Sequence, residues 1–154
     1  MLTAPLRHSR WTIALLACIL TLAPLRGVAQ ATDSSKTSPL TSSSGIYTAA
    51  QATLGRNVYL GTCASCHTPG ELADSKFWNK WVGSTIADLF VYLRENMPKD
   101  NPYSLGDEEY ASVTAYLLQL NAMPAGARAM PADSNALAKI RITKADTIKT
   151  RTAP

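Results

Sequence analysis

The part of this chain whose sequence can form a hydrophobic core is short. Apolar residues recur at helical spacing only from about residue 46 to about residue 137, some 90 of the 154 residues. The residues before this stretch, 32 to 45, are nearly all polar and rich in Ser and Thr, so we expect a flexible leader there. A core of this size is seldom stable without further help. We therefore expect one domain that is additionally stabilised by a covalent cross-link or a bound cofactor.

The N-terminus carries the pattern of an export signal. Residues 11 to 25 form an apolar run of about 15 residues that follows Arg7 and Arg10. This run is too short for a membrane span and is typical of a secretory signal peptide. We predict that residues 1 to 31 are removed on export to the periplasm, without membrane anchoring. The alternative is a lipidated Cys18, which the continuation of the apolar run beyond Cys18 disfavours.

The net charge changes when the signal is removed. The whole chain carries +4, but residues 32 to 154 hold 12 Lys and Arg against 11 Asp and Glu. A surplus of one positive charge argues against nucleic-acid binding, which needs a concentrated basic face. Residues 122 to 154 are locally basic and residues 54 to 121 locally acidic, an asymmetry that can steer docking. The basic tail, residues 143 to 154, is expected to be disordered.

The periodicity of the core predicts helices and almost no strands. Helices are predicted over residues 49 to 62, 86 to 96 and 105 to 120. In the first helix we expect Leu54, Val58 and Tyr59 on the apolar side, with Gly55 allowing another backbone to approach. The second helix is expected to bury a stripe made of Ile86, Leu89, Phe90 and Leu93. The third helix is expected to bury Tyr110, Val113, Tyr116, Leu117 and Leu120. The fold class is therefore predicted to be all-α.

One motif carries strong chemical information. Cys63-Ala64-Ser65-Cys66-His67 has the spacing by which c-type haem is attached, with two thiols for the porphyrin edge and an imidazole for the iron. A thioredoxin-type disulfide is the first alternative, but it is usually found next to a βαβ pattern, which this sequence lacks. A zinc site is the second alternative, and it needs four ligands where only three remain after export. We therefore predict one covalent haem c bound by Cys63, Cys66 and His67.

The second axial ligand of the iron can be sought by elimination. His67 is the only histidine after residue 31, so a second histidine from the same chain is excluded. Three methionines remain, Met97, Met123 and Met130, and each precedes a proline. Met97 is favoured because it stands at a predicted helix end, 30 residues after His67, while the other two have the surroundings of turn residues. We predict His67 and Met97 as the metal ligands.

Residues 54 to 142 resemble the monohaem class I-like cytochromes c. Within that family they look most like the cytochromes that serve, or are fused to, pyrroloquinoline quinone dehydrogenases of proteobacteria. The resemblance rests on the haem motif and on three further stretches: Met97-Pro98-x-Asp100-Asn101-Pro102-x-Ser104-Leu105, Ala115-Tyr116-Leu117-Leu118 with Asn121, and Leu137-x-x-Ile140-Arg141-Ile142. The chain departs from these relatives at Tyr103 and Ala122, where they usually have glycine.

The resemblance implies a small cytochrome c fold, three or more helices around one covalently bound haem, over residues 46 to 142. It implies that Tyr59 packs against an aromatic residue of the last helix, for which Tyr116 is the candidate. It also places an aromatic residue near a haem edge or propionate. Trp81 is the candidate for that position, although both Trp78 and Trp81 are equally well explained as core residues.

These features together predict an electron carrier rather than an enzyme. Histidine and methionine ligation gives a six-coordinate iron suited to passing electrons. The expected donor is a periplasmic dehydrogenase, of the quinoprotein kind by resemblance, and the expected acceptor is an oxidase or a second cytochrome. Two alternatives stay open. One is a haem enzyme with an open distal site, and the other is a cytochrome subunit that stays bound to a dehydrogenase complex.

Overall fold

The computed structural model of the chain describes residues 39 to 144. The predicted signal peptide, Cys18 and most of the predicted tail lie outside the described residues. The described residues form five α-helices, together with two short 3₁₀ helices, Ser42–Ser44 and Pro69–Leu72, and a π-helical turn, Tyr59–Cys63. The α-helices are α1 (Ala49–Val58), α2 (Asp74–Trp81), α3 (Ile86–Asn96), α4 (Asp107–Leu120) and α5 (Ser134–Leu137).

The described residues contain no β-strand, and two isolated bridges join Arg141 to Thr41 and to Thr85. The predicted all-α fold class is therefore confirmed. Within residues 39 to 144, no helix has both the length and the apolar character needed to cross a bilayer.

Helices α1 and α4 pack against each other with their main chains in close contact. Gly55 lies against the main chain of α4, as predicted, and a Cβ at this position would come within 1.8 Å of the Ser112 carbonyl oxygen. The buried side of α1 consists of Gln51, Ala52 and Gly55. The prediction that Leu54 faces inward is wrong, since Leu54 is 60% exposed. Gly55 has to be small because two backbones this close leave no room for a side chain between them.

Helix α4 runs through the centre of the fold. Every residue from 110 to 118 is buried, so α4 is covered on all sides rather than along one stripe. The helix begins two residues later than predicted, because Gly106 is still extended and its N–H donates to Oε2 of Glu109 (2.8 Å). Helix α3 has the predicted bounds. Its Thr85 and Asp88 cap the N-terminus reciprocally, with 2.7 Å between the Thr85 nitrogen and Asp88 Oδ2.

Two α-helices were not predicted from the sequence. Helix α2 has eight residues, of which several are polar, and α5 has only four. Helix α5 is too short to show a repeated apolar stripe, and α2 has only Phe77, Trp78 and Trp81 as apolar positions, about one turn of the pattern that periodicity provides. Helix α5 begins at a side-chain cap, in which Asp133 accepts from the Asn135 nitrogen at 2.9 Å.

The predicted domain boundaries differ from the structure at both ends. Residues 41 to 45, assigned to the flexible leader, are folded: Ser42 is fully buried and its nitrogen donates to the Arg141 carbonyl (2.8 Å). The Ser42 hydroxyl donates to the carbonyl of Thr143 (3.1 Å), a residue assigned to the tail. Main-chain hydrogen bonds and one small polar side chain hold these segments, and neither contributes to an apolar pattern.

Met123 and Met130 lie outside helices, as predicted for turn residues, but both are core residues. They are 3% and 1% exposed. The Met123 carbonyl accepts from the Tyr47 hydroxyl (2.6 Å), and the main chain of Met130 exchanges two hydrogen bonds with the Gln51 amide (both 2.8 Å). These bonds attach the segment after α4 to α1.

Candidate functional site

A cavity of about 880 Å³ lies among the helices and is open to solvent on one side. Its wall is formed by the π-helical turn and the loop after it, by the 3₁₀ helix Pro69–Leu72, by α2, α3 and α4, and by the segment after α3. The lining is mainly apolar, with contributions from Leu72, Phe77, Leu89, Leu93, Val113 and Leu117. The volume and the lining are those of a cofactor site.

The structure brings the four predicted site residues to this one cavity. Cys63, Cys66, His67 and Met97 all line it. The rejected candidates Met123 and Met130 do not line it and are buried elsewhere in the core. Residues separated by up to 34 positions in the sequence therefore meet at one place, which local spacing alone could not establish.

The two cysteines are free thiols within a tight turn. The nitrogens of Cys66 and His67 both donate to the Cys63 carbonyl, at 3.1 and 2.9 Å. Cys63 is half-buried and Cys66 is exposed. Burial raises the pKa of the Cys63 thiol, so this thiol is protonated at neutral pH. Both sulfurs are free, and both residues line the cavity.

A π-helical turn leads into the cysteine motif. The Ala64 nitrogen donates to the Tyr59 carbonyl (2.9 Å), one residue further back than in an α-helix. Such single π turns widen a helix and are frequent at functional sites. The Tyr59 hydroxyl donates to the His67 carbonyl (2.5 Å), while its ring lies 5.3 Å from that of Tyr116 on α4. The predicted pairing of Tyr59 with Tyr116 is therefore present, and it attaches the motif to α4.

The imidazole of His67 is about one-third exposed at the cavity. Its Nδ1 lies 4.0 Å from Oε2 of Glu71, which is beyond hydrogen-bond distance. Oε2 of Glu71 instead accepts from the Thr68 nitrogen (3.2 Å) and caps the 3₁₀ helix. Among residues 39 to 144, no group of three or more His, Cys, Asp or Glu side chains is arranged to hold a metal ion.

Met97 lies in the segment of chain directly after α3, which reaches the cavity separately from the cysteine motif. Its nitrogen donates to the Leu93 carbonyl (2.9 Å) and so completes the last turn of that helix. Its carbonyl accepts from the Tyr110 hydroxyl on α4 (2.9 Å). A tyrosine hydroxyl therefore holds the main chain of each predicted iron ligand, that of Tyr110 on α4 for Met97 and that of Tyr59 in the π-helical turn for His67.

Trp81 and Trp78 have different environments. Trp81 lines the cavity, as expected for the aromatic near the haem, while Trp78 packs edge-on against Phe77 at 5.4 Å. Nζ of Lys80 lies 3.5 Å from the ring centroid of Tyr92 and 4.7 Å from that of Trp81. A lysine held against two rings in this way adds a fixed positive charge at the cavity wall.

Sequence reasoning missed three residues that shape the site. Lys80 and Tyr92 form the cation–π contact just described. Asn121 joins the 3₁₀ helix to α4, because its amide donates to the carbonyls of Leu72 (3.0 Å) and Leu117 (2.8 Å). None of the three belongs to a motif of fixed spacing. Only the family resemblance, which includes Asn121, gave a signal for any of them.

The residues at the cavity fit a covalently attached haem. Two free thiols, one imidazole and one thioether are the groups that such a cofactor requires, and all four line the same mainly apolar cavity. The apolar lining and a cavity volume of about 880 Å³ suit a large flat macrocycle. The donor set and the cavity are therefore mutually consistent.

Residues 50 to 117 match the family model described as cytochrome C oxidase, cbb3-type, subunit III. The match covers less than half of the chain and includes Cys63, Cys66, His67 and Met97. No curated protein and no solved structure matches the chain. The family match supports a c-type cytochrome, a haem protein of electron transfer in which the haem is covalent.

Proposed function

We propose that this chain is an exported electron carrier with a single covalent haem, attached through Cys63 and Cys66 and ligated by His67 and Met97. The observation that carries this proposal is that these four residues, and no other methionine of the described residues, line one cavity. When bound, the haem supplies the one-electron couple of its iron. The rest of the function falls to the residues around it.

The role of each residue follows from its chemistry. Cys63 and Cys66 hold the porphyrin edge by thioether bonds, and His67 supplies its imidazole to the iron from the adjacent position. Met97 supplies a thioether, a soft ligand that favours the reduced iron and raises the reduction potential. The apolar wall would exclude water and lower the local dielectric around the iron, and both influence its reduction potential.

The proposed cellular place is the periplasm. It is supported by the apolar run over residues 11 to 25 with its preceding arginines, and by the chemistry of attachment, which takes place outside the bacterial cytoplasm. The proposed organisation is a signal peptide over residues 1 to 31 and a leader after it. The cytochrome domain follows, and then a basic tail that begins just after Thr143.

The proposed donor is a periplasmic dehydrogenase, of the quinoprotein class by the resemblance noted above, and the proposed acceptor is an oxidase or a second cytochrome. Electron carriers of this kind use small, short-lived interfaces. The acidic balance of residues 54 to 121 and the basic balance of residues 122 to 154 give the chain two differently charged parts. Charge complementarity would set the rate of encounter rather than the stability of the complex.

A spectroscopic experiment on the exported, full-length protein tests the proposed haem site. We expect haem that stays with the protein after acid-acetone extraction, and a ferric spectrum with the charge-transfer band of methionine-to-iron ligation. The ferrous protein should bind carbon monoxide only slowly. Absence of retained haem would contradict the proposed attachment, and rapid carbon monoxide binding would instead support a haem enzyme with an open distal site.

A kinetic experiment separates a diffusing carrier from a bound subunit. We expect the rate of reduction by the partner dehydrogenase to fall as ionic strength rises, because exposed charges are screened. A chain truncated after Ile148 loses Lys149 and Arg151 and should lose part of this dependence, and a truncation after Arg151, which removes no charged side chain, is the control. A rate independent of salt and of truncation, with co-elution of the two proteins, would identify a bound subunit.

A further inference from the structure

A buried tyrosine holds the main chain of the predicted methionine ligand. Tyr110 is 1% exposed on α4, and its hydroxyl donates to the Met97 carbonyl at 2.9 Å. This bond connects the loop after α3 to the central helix of the fold. It fixes the carbonyl of the same residue whose side chain lines the haem cavity.

The two predicted axial ligands differ in how firmly the chain can hold them. His67 follows Cys66 directly, so a thioether bond to the haem would fix its position within one peptide unit. Met97 has no such covalent tie. Its place depends on the Leu93 carbonyl, which accepts from its nitrogen (2.9 Å), and on the Tyr110 hydroxyl. Only the second of these bonds reaches a different helix.

The surroundings of Met97 leave it room to shift. A second, small cavity of about 20 Å³ lies beside Met97 and Tyr110 and is lined entirely by apolar surface, with contributions from Leu93, Pro98, Leu105 and Val113. A water molecule in this space would find no polar partners, so it cannot replace the hydroxyl. The hydrogen bond from Tyr110 to Met97 therefore lies beside an incompletely filled apolar space.

We propose that Tyr110 is a positioning residue, whose hydroxyl keeps Met97 at the distance from the iron that closes the sixth coordination site. This inference rests on the proposed function, since it requires Met97 to be a ligand. It assigns to α4 a part in setting the strength of the methionine–iron bond. Tyr110 does not line the haem cavity, and its hydroxyl acts through the main chain of Met97.

The chain supplies a matched control for this role. The Tyr47 hydroxyl also donates to a methionine carbonyl, that of Met123, at 2.6 Å, and Tyr47 is likewise 1% exposed. Met123 does not line the haem cavity. Tyr110→Phe and Tyr47→Phe therefore each remove one buried tyrosine–carbonyl hydrogen bond and keep the ring, but only the first change concerns the proposed ligand.

The test compares wild type, Tyr110→Phe and Tyr47→Phe as exported holoproteins. Imidazole is titrated into the ferric proteins, where it competes with the methionine, and the methionine-to-iron band and reduction potential are recorded. Both variants should lower the melting temperature similarly. In Tyr110→Phe, imidazole affinity should rise about fivefold, the effect of losing one hydrogen bond that opposes displacement of the ligand. Its band should weaken and its potential fall, while Tyr47→Phe keeps wild-type values.

Two outcomes overturn different claims. If wild type shows the band and Tyr110→Phe resembles Tyr47→Phe in imidazole affinity and potential, the positioning role is wrong and the haem site stands. If wild type itself lacks the band, Met97 is not a ligand and the proposed site fails first. Should Tyr110→Phe not accumulate, Met97→Leu provides the reference for a lost methionine, and the temperature at which the wild-type band disappears is compared with that of global unfolding. If the methionine-to-iron band disappears only at the temperature of global unfolding, the segment that carries Met97 does not loosen separately, and this would count against the positioning role.

Discussion

Gly55 and Ser112 bring α1 and α4 into backbone contact. A Cβ at Gly55 would lie 1.8 Å from the Ser112 carbonyl oxygen and 2.3 Å from its carbonyl carbon. The atoms in the way belong to the main chain of a helix that is buried from Tyr110 to Leu118, so they cannot move aside cheaply. This contact determines how closely the two helices approach, and the Tyr59–Tyr116 ring pair lies one turn further along the same helix pair.

Gly55→Ala should therefore destabilise the protein by about 3 kcal/mol, the upper range for overpacking a tight contact. Urea unfolding of the holoprotein measures the change. Gly61→Ala is the matched control, because Gly61 lies in the following π-helical turn and no atom lies within 4 Å of its added Cβ. We expect Gly61→Ala to change stability by no more than about 1 kcal/mol. Equal losses in both variants would contradict the steric explanation.

Ala122 adopts the left-handed conformation that favours glycine, with φ 58°. Ala122→Gly should raise the free energy of unfolding by about 0.5 to 1 kcal/mol, because relief of the left-handed strain exceeds the entropy that glycine loses on folding. Ala138→Gly is the control, since Ala138 is also exposed and follows a helix but has φ −63°. That substitution should lower stability. A gain at residue 138 equal to the gain at residue 122 would refute the conformational cause.

Asp88 makes the stability of the protein depend on pH. Hydrogen bonds from the Thr85 main chain, then from the Thr85 hydroxyl, hold the pKa of Asp88 below its ordinary value of 3.8. A lowered folded-state pKa means that the stabilisation is complete above the ordinary pKa and is lost as the pH falls through the folded-state value. Asp88→Asn keeps an acceptor for the helix cap but removes the titrating carboxyl group. The variant should therefore lose less stability than the wild type as the pH falls into the acid range, which is the acid limb of the plot of stability against pH.

Thermal unfolding between neutral pH and the acid range, in buffers of equal ionic strength, measures this change. Glu95→Gln removes one carboxylate from the opposite end of the same helix, α3, and serves as the control. It should retain the wild-type acid limb. An acid limb that is unaltered in Asp88→Asn would mean that other carboxyl groups govern the loss of stability at low pH.

The choice of methionine can be tested by removing each thioether at constant volume. Met97→Leu should abolish the methionine-to-iron band and open the sixth site to carbon monoxide. Met123→Leu and Met130→Leu should keep the band and cost less than about 1.5 kcal/mol in stability, as size-conserving core substitutions do. Visible and near-infrared spectra of the three holoproteins decide the matter. Loss of the band in either control variant, with retention in Met97→Leu, would reassign the ligand.

Much of the site could be predicted because its residues are short-range and chemically distinctive. Cys63, Cys66 and His67 occupy five consecutive positions, and elimination among three methionines selected Met97, which the structure places in the same cavity. The aromatic pair Tyr59 and Tyr116 came from the family resemblance. The resemblance also marked Tyr103 and Ala122 as places where glycine is usual, and both have positive φ, 62° and 58°.

The remaining features depend on contacts that a one-dimensional pattern does not contain. The inward side of α1 was misassigned because close backbone approach selects Ala52 and Gly55, whereas hydrophobicity selects Leu54, which is exposed. The folded segment around Ser42 depends on hydrogen bonds to residues about a hundred positions away. The cation–π contact of Lys80 with Tyr92 on a neighbouring helix has no sequence spacing that would identify it.

The hydrogen bonds of Ser42 to Arg141 and Thr143 have a mechanical consequence. They join the first and last folded segments of the described region side by side, and the bridge between Thr41 and Arg141 is parallel. A pull that draws Leu40 and Lys144 apart along the two segments would therefore load these few bonds together, in shear. The haem cavity would be spared until they had opened.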